Sequence, residues 1–152
     1  QGAIMPASKI LEVLPREYGY VCIVVVLGFI LNMYLTMNVV SARKKYGIKY
    51  PALYAPPGHK HEVAFNCIQR AHQNTLETFA FVMIRMLLCG VQYPIASAFL
   101  GALWVIGRFV YGYGYSTGDP NERFKGGIIS FLADMPLTLL TGKLAYDFLT
   151  SK

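Results

Sequence analysis

From Tyr18 to Ala42 the chain carries no charged side chain. About 20 consecutive apolar residues are enough for a helix to cross the hydrocarbon core of a bilayer. A helix satisfies all its backbone hydrogen bonds internally, which lipid demands of any spanning segment. This stretch therefore reads as a membrane-spanning helix, and it restricts the fold more than any other feature. It ends at Arg43-Lys44-Lys45, followed by Gly47 and Pro51, which stop a helix.

Three more apolar segments follow. Pro51, Pro56, Pro57 and Gly58 make Tyr46 to Glu62 a loop. A second helix is expected from Glu62–Phe65 to about Val91. The turn Gln92-Tyr93-Pro94 is so short that helices two and three must be antiparallel neighbours. A third helix is expected from about Ile95 to Tyr115, with Ser97/Gly101 and Ala98/Ala102 as small residues that admit close helix approach. Ser116 to Gly127 reads as a polar turn, and a fourth helix from about Ile128 to Leu149, kinked at Pro136. Charged residues make up 14% of the chain, against about 25% in soluble domains. The fold class expected is all-α: an integral membrane four-helix transmembrane bundle running up-down-up-down.

The Gln1-Gly2 pair matches the junction left by a commonly used viral protease site. Residues 1–4 thus read as a cleavage remnant and 5–152 as a single domain, with no removable signal peptide before Tyr18. Cys22, Cys67 and Cys89 are odd in number and scattered, so they form no disulfide framework. Cys22 and Cys89 are expected as buried small hydrophobes, and Cys67 as a palmitoylation candidate. Paired CxxC motifs are absent, so no metal is expected. The net charge of +6 brackets the apolar segments, which suits membrane orientation and an anionic ligand better than nucleic acid. The first and third loops carry the basic residues. They are expected to face the cytosol, with both termini luminal.

The second helix opens on a polar face. Arg70, Asn74 and Glu77 follow i, i+4, i+7 spacing and point the same way. Charge at membrane depth tends to face a bundle interior or a wet cavity. Arg85 and Asp134 are expected to pair, and Lys143 needs a partner. Arg108, Tyr111 and Tyr115 share a face of helix three at i, i+3, i+7. These residues, with Arg43, Lys44 and Arg123, should converge at the cytosolic end. Arginine binds carboxylate in a planar, charge-assisted fork, Glu77 can take an ammonium, and Asn74 both donates and accepts. A ligand with two carboxylates and one amine fits that set, and glutathione is such a molecule. Its thiol has a free pKa of about 8.5, which a nearby arginine lowers toward the nucleophilic thiolate. The plainer alternative stays open: Arg70 and Glu77 neutralise each other, Tyr111 and Tyr115 belong to the interfacial belt, and His72, off the shared line, is packed.

At these residues the chain resembles the MAPEG family, the membrane-associated proteins of eicosanoid and glutathione metabolism, and within it the microsomal glutathione transferases. The stretches Ser41-Ala42-Arg43-Lys44-Lys45-Tyr46, Phe65 through Glu77, and Gly107-Arg108 through Tyr111 to Gly118 carry the likeness. The resemblance implies a homotrimer in the endoplasmic reticulum membrane, with the outer mitochondrial membrane and nuclear envelope as alternatives. It implies glutathione as co-substrate, bound between subunits, and a lipophilic electrophile or lipid hydroperoxide as second substrate. No prosthetic group, metal or nucleic acid is implied. By position Arg70, His72, Asn74, Glu77, Arg108, Tyr111 and Tyr115 match glutathione-binding residues, Arg43 a contact from the adjacent subunit, and Arg123 the thiolate-stabilising arginine. Lys44 and Thr78 are accessory positions. Thr78 stands where the leukotriene-synthase pattern has Tyr. Thr75 and Phe124 depart from the prostaglandin-synthase pattern. The rival readings are a non-catalytic lipid-binding scaffold of the same fold that presents fatty acids to a partner enzyme, and a transporter.

Overall fold

A computed structural model describes residues 13–151; the expectations for residues 1–4 lie outside the described residues. Four long helices run α1 (Tyr18–Tyr46), α2 (Glu62–Gln92), α3 (Pro94–Tyr115) and α4 (Arg123–Thr150), with a 3-10 turn at Pro120–Glu122. All four are long and apolar enough to span a membrane. No more than 44% of the most apolar stretch of any of them is buried inside the bundle. The remainder, including Phe29, Phe81, Phe99, Phe131 and Leu139, is outward apolar surface, as lipid-facing helices require.

The α1 helix runs about one turn beyond Ala42, through the basic cluster. Gly47 closes it at φ 71°, its N–H bonding to Arg43 O. A left-handed residue there is cheap only for glycine, and the cations favour the negative end of the helix. The α2 helix passes through Tyr93 directly into α3, whose first residue, Pro94, has no N–H to leave unpaired. The α4 helix begins at Arg123, five residues before the expected Ile128, and continues through Pro136. Gly126 and Gly127, which read as turn residues, are inside it. Their role is contact, since a Cβ on Gly126 would collide with the backbone of Tyr111 and Gly107.

Helices α2 and α3 form the centre, each packing on all three others, with α1 and α4 as flanks. The core gathers Val24, Leu31, Leu35, Val82, Met86, Trp104, Val105 and Leu137. Small residues on α3 permit it: Ser97 is buried and donates to Met86 O at 2.6 Å, and Gly101 abuts Met86 and Val24. The expected pair of Arg85 and Asp134 forms at 2.5 Å, with Thr138 as a further partner of Arg85. Lys143 binds Asp147 at 2.6 Å and the Tyr93 hydroxyl at 2.7 Å. Cysteine expectations divide. Cys89 is buried, but Cys22 is exposed on the outward face of α1, because that helix buries only one narrow stripe. Cys67 is buried, 3.8 Å from Gly118 O, and so is poorly placed for acylation.

Candidate functional site

The polar face of α2 does not point into the bundle. Arg70 Nη1 lies 3.0 Å from Glu77 Oε1, with the two side chains 38% and 46% exposed. The pair sits roughly two to four turns beyond the start of this spanning helix, on its outer side. Asn74, between them on the same face, donates from Nδ2 to Glu77 Oε2 at 3.1 Å and accepts on Oδ1 from Arg108 Nη1 at 2.9 Å. Arg108 is only 9% exposed. Its second amine donates to Thr78 Oγ1 at 3.1 Å, and Thr78 in turn donates to Thr75 O. The result is one connected chain, Arg70, Glu77, Asn74, Arg108 and Thr78, that joins α2 to α3. The carboxamide of Asn74 is fixed in one orientation by a donor on one side and an acceptor on the other. Arg108 Nε is buried with no acceptor among the described residues.

Below that chain α3 presents Tyr111 and Tyr115, both buried, edge to face with ring centroids 5.4 Å apart. The Arg108 guanidinium lies 5.2 Å from the Tyr111 ring centroid, within cation–π reach. From the first turn of α4, Arg123 Nη1 donates to the Tyr115 hydroxyl at 3.0 Å, and its guanidinium lies 5.6 Å from that ring. Arg123 thus stands in the first turn of α4, directly after the 3-10 turn, with its guanidinium held against the Tyr115 ring and hydroxyl. Beside it a groove of about 310 Å³ is lined by Tyr111, Arg123, Phe124, Gly127, Ile128 and Phe131. One wall is charged and the other apolar. An anionic sulfur could meet an apolar carbon chain there, with the cation on the sulfur.

Arg70, Asn74, Glu77, Arg108, Tyr111, Tyr115, Thr78 and Arg123 are thus brought together along neighbouring faces of α2, α3 and α4. Three expected residues stand apart. Arg43 turns into the first loop, donating to Ala52 O at 2.8 Å and lying over the Tyr50 and Phe65 rings. His72 faces α1, its Nε2 3.1 Å from Asn32 Oδ1 and 3.3 Å from Thr36 Oγ1. Lys44 is exposed at the end of α1. Sequence reading missed the apolar wall of the groove. Phe124, Gly127, Ile128 and Phe131 are a helical i, i+3, i+4, i+7 stripe, hidden once the helix was expected to begin at Ile128. Among the described residues no three His, Cys, Asp or Glu side chains converge as a metal site.

Comparison with known proteins bears on what this arrangement is. The model of the MAPEG family matches residues 21–143. An uncharacterized protein of Synechocystis sp. is 31% identical over 124 residues, 81% of this chain and 85% of that one. Microsomal glutathione S-transferase 2 of Homo sapiens is 30% identical over 108 residues, 70% of this chain and 69% of its own length. Leukotriene C4 synthase of Bos taurus is 28% identical over 101 residues, 66% and 63% of the two chains.

Proposed function

The chain belongs to the MAPEG family, and on that premise we propose that it is an integral membrane glutathione transferase of the type-three microsomal kind. It joins the glutathione thiolate to lipophilic electrophiles, with leukotriene C synthase-like conjugation within its range. The observation that carries this reading is the hydrogen-bonded chain from Arg70 to Arg108 beside the Arg123–Tyr115 pair. Arginines 70 and 108 take the two carboxylates, Glu77 takes the ammonium, Asn74 the peptide, and Tyr111 and Tyr115 close over the backbone of the tripeptide. Arg43 and His72, turned away from this cluster in their own chain, are assigned to the site of a neighbouring subunit in a homotrimer. Lys44 adds positive potential at the entrance.

Arg123 holds the sulfur as thiolate. The thiol proton leaves to solvent, the sulfur attacks the electrophilic carbon lying in the apolar groove, and the carbon–leaving-group bond breaks. Lipid hydroperoxides are a second substrate class. There the thiolate attacks the distal peroxide oxygen, the O–O bond breaks, and the alkoxide takes a proton to become the alcohol. The resulting glutathione sulfenic acid condenses with a second glutathione, giving disulfide and water. Positioning and electrostatic stabilisation supply the catalysis. The enzyme works in the endoplasmic reticulum membrane with this end of the bundle toward the cytosol, where glutathione arrives.

The test is glutathione binding with the thiolate absorbance read as a function of pH, followed by turnover of a chloro-nitroaromatic and of cumene hydroperoxide. Bound glutathione should show an apparent thiol pKa well below its free value of about 8.5. The Arg123→Ala variant should return it toward that value. Neutral-pH turnover should then fall in proportion to the thiolate lost, about tenfold for each unit by which the thiol pKa rises above the assay pH. Full thiolate formation in Arg123→Ala would remove Arg123 from the mechanism. Tight glutathione binding with no turnover of either substrate would favour the non-catalytic lipid-binding scaffold.

A further inference from the structure

A second groove, of about 370 Å³, lies between α1 and α3 near their C-terminal ends, and no residue placed in the glutathione site lines it. Tyr34, Asn38, Ser41 and Lys45 of α1 line it, with Tyr113 and Thr117 across from them. The four α1 positions follow i, i+4, i+7, i+11 spacing and form one stripe. Along that stripe the chemistry grades from an aromatic ring, through a carboxamide and a hydroxyl, to an ammonium at the helix end. Asn38 lies about two turns inside α1, about 12 Å from Tyr46 at 1.5 Å per residue.

Nothing within the bundle answers these groups. The neighbouring α1 polar residues Asn32 and Thr36 are tied to His72, yet among the described residues neither Asn38 nor Ser41 has a side-chain hydrogen-bond partner. Lys45 has no carboxylate partner among the described residues, and its Nζ lies 5.2 Å from the Tyr46 ring centroid. An amide at membrane depth is costly without a partner. The groove is open on its outer side, where Ser41, Lys45 and Tyr113 are exposed, at the end of helices long and apolar enough to span a membrane, so its natural occupant is an amphiphile of the membrane.

We propose that this groove binds the head group of a zwitterionic phospholipid. Lys45 takes the phosphate, and Asn38 and Ser41 take the ester oxygens below it. The exposed ring of Tyr113 across the groove offers its face to the head group's ammonium. The acyl chains run down the apolar flank past Tyr34. This site is separate from glutathione chemistry, and its failure would leave the proposed function intact.

Native mass spectrometry of the detergent-solubilised protein, supplied with phosphatidylcholine, with diacylglycerol of the same chains, and with soluble glycerophosphocholine, tests it. Phosphatidylcholine should be retained, and diacylglycerol, which lacks the phosphate, should be retained about fivefold less. Asn38→Leu and Lys45→Gln should each lower phosphatidylcholine retention by about fivefold, with melting temperature and glutathione binding unchanged. Equal retention in both variants, or equal retention of diacylglycerol, would overturn the proposal. Binding of glycerophosphocholine as tight as the lipid would reassign the groove to a free phosphodiester. A change in oligomeric mass in either variant would reassign it to contact between copies of the chain.

Discussion

Arg108 is held at four points. It bonds Asn74 and Thr78 through its two terminal nitrogens and lies 5.2 Å from the ring centroids of both Trp104 and Tyr111. A guanidinium fixed this way offers a charge whose direction is already set, so a carboxylate that meets it gains without ordering a long side chain. Thr78 is the brace. It stands where the leukotriene-synthase pattern has Tyr, and in the structure its hydroxyl serves the arginine. Thr78→Val keeps the shape and removes the acceptor. It should cost about 1–3 kcal/mol in thermal unfolding and weaken glutathione binding measurably by calorimetry. Undiminished binding would show that Asn74 and the aromatic rings set the Arg108 geometry without Thr78. Arg123 differs in kind: its partner is a tyrosine hydroxyl, and no carboxylate neutralises it among the described residues. Its positive field is left for an incoming anion.

At the scale of elements, the close approach of α3 and α4 decides where Arg123 stands. Gly107 and Gly126 leave no room for a Cβ between the two helices, and Gly114 leaves none against Glu122 just before α4. Gly126→Ala should push α4 outward and cost about 1–3 kcal/mol through overpacking, read as a lower melting temperature. If glutathione is retained, its thiol pKa should rise because Arg123 moves with the helix. A second fastening lies deeper, where Arg85 and Asp134 join α2 to α4 with side chains 20% and 24% exposed. Removing one partner leaves a charge without its counterpart, whereas removing both does not. Asp134→Leu alone should therefore destabilise by up to about 3 kcal/mol, and Arg85→Met with Asp134→Leu should recover most of it. A double-mutant cycle by thermal unfolding measures the difference. The same elements mark where sequence reading stopped short. The spans, the antiparallel turn at Tyr93 and the Arg85–Asp134 pair were all legible from hydropathy, proline and charge. The start of α4 was not, because glycine pairs break helices in water but let them touch when packed.

For the molecule as a whole, the unusual fact is that charge lies outside. Arg70 and Glu77 are partly exposed on a helix whose neighbours are apolar, and in lipid that is unfavourable unless another surface covers them. In the proposed homotrimer a second copy of the chain would supply such a surface, and Arg43 and His72 would reach the site only from there. The protein in mild detergent should therefore have the mass of a homotrimer by light scattering corrected for detergent, and the trimer should bind glutathione. A monomer that binds glutathione with the same affinity would defeat this arrangement. The structure of one chain also redistributes residues that a linear reading groups together. Arg43, Lys44 and Lys45 are adjacent in sequence, yet the first clamps a loop, the second stands exposed, and the third lines the α1–α3 groove.

Sequence by itself determined that four helices span a membrane, which of their ends are basic, and that Arg70, Asn74, Glu77, Arg108, Tyr111 and Tyr115 lie on shared faces. These follow from transfer energies and the 3.6-residue period, which act locally along the chain. Only the tertiary structure decided that the Arg70–Glu77 face points outward, that Thr78 braces Arg108, that Arg123 opens a helix against Tyr115, and that Arg43 and His72 turn elsewhere. Those outcomes depend on which helix faces meet and how closely, and the packing of small residues across helices sets both.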